Sequence, residues 1–127
     1  MIRIHAERDS VCMGDDVTAP NADNFFFLLN KTIDNLLMTL CGYVPNYKNV
    51  VWEVTCNDQI VGYLFSDDTG KYQYESEGSY GVISELPSHR IFCRYHSDCD
   101  NHFGNGILDG ATLLELIKAS KTQQQKA

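Results

Sequence analysis

Val50-Val51-Trp52-Glu53-Val54-Thr55-Cys56-Asn57-Asp58-Gln59-Ile60-Val61-Gly62-Tyr63-Leu64-Phe65-Ser66 is the stretch that decides the fold. Two runs rich in β-branched and aromatic residues flank Asn57-Asp58, a pair suited to a two-residue hairpin turn. Pairing across that turn sets Val54 opposite Val61, Trp52 opposite Tyr63 and Val50 opposite Phe65. All six are apolar or aromatic and share a face, which predicts the register. Asp67-Asp68-Thr69-Gly70 reads as a second turn, and Lys71 to Glu75 returns as a third strand. Tyr72 and Tyr74 lie on one side of it, Gln73 and Glu75 on the other. A fourth strand falls at Val82 to Ser84 or at Arg90 to His96, with Leu86-Pro87-Ser88 breaking the chain between them.

Upstream, Ile2, Ile4 and Ala6 alternate with Arg3, His5 and Glu7, which predicts a first strand. Asp9 to Asp23 is a loop rich in Asp, Asn and Gly. Phe25 to Leu29 is either a buried strand or the start of a helix, since so short an apolar run fits both. Thr32 is an N-cap, with Asp34 in the first turn and Ile33, Leu36, Leu37 and Leu40 at helical spacing before Gly42. Downstream, Asp109 caps a last helix whose apolar stripe is Leu113, Leu116 and Ile117. Lys118 and Lys121 there complement the C-terminal dipole.

The expected fold is therefore an α+β two-layer domain. An antiparallel meander of four to five strands carries two main helices on its apolar face. Residues 1–120 form one globular domain, and residues 121–127 form a frayed polar tail. The 127 residues suit a single core, and a 43% hydrophobic content is ordinary for a globular chain. The longest apolar run is too short to span a bilayer, and the first eight residues lack the apolar stretch of a secretory signal. The chain is read as cytoplasmic, without a membrane partner. Five cysteines at irregular spacing (Cys12, Cys41, Cys56, Cys93, Cys99) argue for reduced thiols rather than a disulfide framework.

Charge carries most of the functional reading. The net charge is -7, and Val51 to His89 holds seven acids against Lys71 alone, a net of -6. A surface of that sign repels nucleic acid and attracts a basic partner. Within that stretch, Asp67, Asp68, Tyr72, Tyr74, Glu75 and Glu77 are the candidate partner-binding residues, joined by Asp15 and Asp16. Tyrosine gives contact area at low entropy cost, and carboxylates pair with Arg or Lys. The competing reading is a solvated hairpin whose tyrosines pack on the sheet.

Two other clusters invite chemistry. Cys93, His96, Cys99 and His102 place a thiol or imidazole at every third residue, as zinc ligands could be. Four ligands in ten residues would have to curl tightly, and a strand would turn Cys93 and His96 to opposite faces. The Asp9–Asp23 loop offers carboxylates and amides to a hard cation, in an order unlike that of an EF-hand loop. No nucleophile elbow, phosphate-binding loop or zinc-protease helix is present, so no catalytic residue and no cofactor is assigned.

Arg8-Asp9-Ser10-Val11-Cys12-Met13-Gly14-Asp15-Asp16, followed by Ala19-Pro20, resembles a motif of short uncharacterised bacterial proteins. Tyr43-x-Pro45 and the Trp52 strand are similar to theirs as well. In size, acidity and lack of catalytic motifs, the chain also resembles the immunity proteins of bacterial contact-dependent growth inhibition. That likeness implies a cytosolic antitoxin that binds a basic toxin domain, a nuclease in particular, and occludes its active site. The alternative expectation is a small metal-dependent or thiol enzyme using the Cys93–His102 or the Asp9–Asp23 loop.

Overall fold

A computed structural model describes residues 1–9, 22–78, 80–96 and 109–126. The chain runs β1 (Ile2–Arg8), β2 (Ala22–Phe27), α1 (Ile33–Cys41), β3 (Val51–Cys56), β4 (Gln59–Ser66), β5 (Tyr72–Ser76), a 3-10 turn (Ile83–Glu85), β6 (Arg90–His96) and α2 (Gly110–Lys126). The six strands form one mixed sheet in the order β2-β1-β6-β3-β4-β5. Every neighbouring pair is antiparallel except β1 and β6, which are parallel. The expected four-to-five-stranded antiparallel meander is thus too small. It covers β3, β4 and β5, while β6 returns between β1 and β3.

The hairpin turn forms as its residues dictate. Asn57 and Asp58 both take positive φ, 52° and 64°, the conformation a two-residue turn with right-handed strand twist needs. It sets the first two pairs, Cys56 with Gln59 and Thr55 with Ile60. A β-bulge between Val54 and Thr55 then shifts the register by one, so Val54 meets Gly62, Trp52 meets Leu64 and Val51 meets Phe65. The predicted pairs Val54–Val61, Trp52–Tyr63 and Val50–Phe65 are therefore not made. A one-residue slip reverses the faces of everything beyond it. Tyr63 and Phe65 turn away from Trp52, and both faces of the hairpin become apolar.

Each face receives a helix. Ile33, Leu36, Leu37 and Leu40 of α1 join Trp52, Val54, Val61 and Leu64 in the main core. Leu113, Leu114 and Ile117 of α2 join Val51 and Tyr63 in a second cluster. The helices therefore lie on opposite faces of the sheet rather than together on one, and Leu114 takes the buried place expected for Leu116. Two glycines permit the close approach. A Cβ on Gly62 would stand 2.6 Å from Leu37 Cδ1, and one on Gly110 would stand 2.1 Å from the Ser66 carbonyl oxygen.

The helix ends follow their caps. Thr32 Oγ1 accepts from the Asn35 N–H at 3.2 Å, and the Asn35 side chain accepts from the Thr32 N–H at 3.0 Å, closing a capping box. Asp109 Oδ1 accepts from the Thr112 N–H at 2.7 Å. The last helix continues to Lys126, beyond the point where a frayed tail was expected. Phe25 to Leu29 resolves as strand for its first three residues, but β2 is an edge strand. Only Phe27 is buried, while Phe26, Leu28 and Leu29 are exposed. Arg90–His96 is the strand and Val82–Ser84 is not: Val82 makes a lone bridge to Thr32 and leads into the 3-10 turn.

Candidate functional site

The β3–β4–β5 hairpins carry most of the predicted partner-binding residues, and the structure separates them. Asp67 closes its own turn. Its Oδ1 accepts from the Thr69 hydroxyl and N–H and from the Lys71 N–H, bonds that hold its carboxyl below the ordinary range. Asp68 beside it is exposed. Tyr72 faces the core: its hydroxyl donates to the Pro45 carbonyl at 2.7 Å and accepts from Trp52 Nε1 at 3.1 Å. Burial pushes its pKa up to about 12. Tyr74 packs on the same core. Both tyrosines thus follow the packing alternative, on the face opposite Glu75.

Glu75 is exposed and forms an ion pair with Lys118 of α2. The same ammonium stands 5.6 Å from the centroid of the Tyr63 ring. Glu77 lies at the far end of β5 from Asp68 and shares with Asp58 a polar cleft of about 440 Å³ that Lys118 and Lys121 also line. Asp15 and Asp16 lie outside the described residues. Of the acids in the hairpins, Asp58, Asp68 and Glu77 are exposed and form no ion pair among the described residues.

Glu53, counted among the surface acids by its place in the sequence, is buried. It sits on the α2 face of β3, where its Oε2 accepts from His96 Nε2 at 3.0 Å and its Oε1 from Lys121 Nζ at 3.1 Å. Burial alone would raise its pKa, but the bonds from His96 and Lys121 outweigh that and hold it below the ordinary value. The two lysines expected to serve the helix dipole therefore bind carboxylates on the sheet. A signal for this was present: Val50-Val51 and Tyr63-Leu64-Phe65 are consecutive apolar residues, which imply a hairpin buried on both faces. A carboxylate inside it needs a cation, and Lys118 and Lys121 stand one helical turn apart.

The proposed Cys93–His96–Cys99–His102 metal quartet does not assemble from its described half. Cys93 is fully buried in the main core, whereas His96 points to the other face and binds Glu53. Cys99 and His102 lie outside the described residues. Burial pushes the thiols of Cys41 and Cys93 up to about 11 and about 12 and raises that of Cys56, so all three are protonated at neutral pH. In the Asp9–Asp23 loop only the ends are described. Asp9 Oδ2 accepts from the Tyr95 N–H at 2.9 Å, and Asp23 Oδ1 accepts from the Asn24 N–H. Among the described residues, no group of three or more His, Cys, Asp and Glu is placed to hold a metal ion. Among those residues, too, no helix is long and apolar enough to cross a membrane.

No protein-family model, curated protein or solved structure matches this chain.

Proposed function

We propose that this chain is an immunity protein of the cytoplasm. It binds a basic toxin domain, a nuclease in particular, through the ends of the β3–β4–β5 hairpins and covers its active site. The observation that carries this reading is the set of exposed carboxylates at the two ends of those hairpins, Asp58 and Glu77 at one and Asp68 at the other, none in an ion pair among the described residues, where the neighbouring acids are already spent. Asp67 and Glu85 bind backbone N–H groups, while Glu53 and Glu75 bind α2 lysines. At about 3.3 Å per residue, the eight residues of β4 separate Asp58 from Asp68 by roughly 25 Å. One side of a standard protein interface, near 800 Å², is about 30 Å across, so one partner can reach both ends. A nuclease presents Lys and Arg to hold phosphates. Carboxylates at the two ends of the hairpins can take those groups, with fast, salt-sensitive association.

Growth rescue tests the proposal. It requires that the gene beside this one encode a protein whose toxic domain, expressed alone, arrests growth, and that co-expression of this chain restores growth. With that domain purified, the D58N/D68K/E77K variant should keep the wild-type Tm, because all three side chains are exposed and Asn tolerates the positive φ of position 58 as Asp does. It should associate at least tenfold more slowly at low salt. A harmless neighbour, toxicity that this chain does not relieve, or an unchanged association rate would refute the reading.

A further inference from the structure

The sheet face that carries α2 extends past the helix onto β2, β1 and β6. Strand alternation and register place Arg3, His5 and Glu7 of β1 there, with Asn24 and Phe26 of β2 and Arg90, Phe92 and Arg94 of β6. Two adjoining clefts cross this surface and share His5 and Arg90. One, of about 370 Å³, is lined by Arg3, His5, Asn24, His89 and Arg90. The other, of about 210 Å³, is lined also by Phe92, Glu7, Asn57 and Asp58.

The first cleft gathers two guanidinium groups and two imidazoles in a chain whose net charge is -7. Lys118 and Lys121 are in ion pairs, but neither Arg3 nor Arg90 forms one among the described residues. Both are exposed, as is His89. The His5 ring is fixed between Asn24 Oδ1 at 3.1 Å and Glu7 Oε1 at 3.0 Å, so the wall between the two arginines is set in place. A planar guanidinium matches two oxygens of a phosphate, which makes the arginine pair a phosphate-binding arrangement. The second cleft differs in character. Phe92 is half-buried and belongs to neither apolar cluster of the described residues, so the part of its ring that lines the cleft can meet a flat group. Glu7 beside it on β1, and Asn57 and Asp58 at the turn level with Arg90, offer oxygens to hydroxyl or amino groups. The carboxylates of Glu7 and Asp58 also repel a second phosphate, which disfavours a polynucleotide.

We propose that this furrow binds a mononucleotide. Its phosphate is held by Arg3, His89 and Arg90, its base lies against Phe92, and its hydroxyl or amino groups reach Glu7 and Asp58. The larger cleft, of about 370 Å³, falls within the roughly 300–1,000 Å³ usual for small-ligand pockets, and the smaller one adjoins it.

Calorimetric titration of the whole chain with AMP, GMP, CMP and UMP tests this, with the parent nucleosides and inorganic phosphate as comparison probes. At least one nucleotide should bind with a sub-millimolar Kd, and its nucleoside and inorganic phosphate should each bind at least tenfold more weakly. R3A and R90A should each weaken the nucleotide about tenfold or more, with circular dichroism and Tm unchanged because both side chains are exposed. F92A should weaken the nucleotide and leave inorganic phosphate alone. The proposal is overturned if no nucleotide binds below 1 mM, if binding is indifferent to R90A, or if inorganic phosphate binds as tightly as the nucleotide.

Discussion

Replacing Glu53 by Gln probes the joint between α2 and the sheet. The amide keeps the shape of the carboxylate and one acceptor oxygen, so it still takes a neutral bond from His96 while losing its charge and the pairing with Lys121. A net hydrogen bond to a buried charged group contributes about 1.5–3 kcal/mol, against about 1 kcal/mol for a neutral one. The His96 contact, with both side chains mostly buried, therefore weakens by about 1–2 kcal/mol. The Lys121 side chain is 34% exposed, so its share is discounted to about 0.5–1 kcal/mol. Part of the sum returns because an amide costs less to bury than an anion. The expected loss is about 2 kcal/mol, or about 8 °C in Tm for a chain of this size.

Urea unfolding followed by fluorescence of Trp52, the single tryptophan and fully buried, measures that loss. The pH dependence supplies a second reading. Because the folded-state pKa of Glu53 is depressed, its stabilisation is complete above the unfolded carboxyl pKa of about 4.3 and disappears as pH falls through the lower folded value. The gap between wild type and E53Q should be full at pH 7 and should close below about pH 4.3. A gap under 0.5 kcal/mol at pH 7, or one undiminished at pH 3, would refute the role assigned to Glu53.

Gly110→Ala places a methyl group against the Ser66 backbone, which cannot swing aside as a side chain can. The α2 N-terminus should shift from β4 at a cost of about 1–3 kcal/mol, and hydrogen exchange should show weaker protection in α2 than in α1; wild-type protection in α2 would contradict the packing. Burial raises the pKa of Tyr63 and Tyr72 to about 12 and that of Tyr43 further still, so the fold favours their neutral forms and loses that stability as pH rises past 10. Absorbance at 295 nm should show these three of the seven tyrosines resisting ionisation until pH 11–12 or until the chain unfolds; all seven titrating near pH 10 in a native chain would contradict their burial.

Local structure was legible where neighbouring residues carry the whole instruction. Thr32, the four apolar positions after it and Gly42 delimit α1 because capping and amphipathic spacing act within one helix. Asn57-Asp58 specifies its turn because both residues tolerate positive φ. Sheet order was not legible. β1 and β6 pair in parallel across some 85 residues, His5 beside Arg90, and no turn encodes that contact. The bulge at Val54/Thr55 escaped for a different reason. Six matching apolar residues supported an unbroken register, but the chain satisfies two faces at once by inserting Val61. Only the position of α2, fixed by long-range packing, decides between these arrangements.

The charge reading shows the same division. Summing charge by segment treats each carboxylate as surface, yet Glu53 is a buried joint, and Asp67, Glu85 and Asp109 hold backbone N–H groups at turns and caps. What survives is a smaller set: Asp58 and Glu77 at one end of the hairpins and Asp68 at the other. Segment sums also hid the opposite feature. Residues 1–23 count as acidic, yet the outward side of β1 carries Arg3 and His5, and the parallel pairing sets them beside His89 and Arg90. Solubility depends on net charge, not on which face holds which sign. Under the functions proposed above, the carboxylates at the hairpin ends meet a cationic protein surface, and Arg3 and Arg90 over β1 and β6 meet a phosphate.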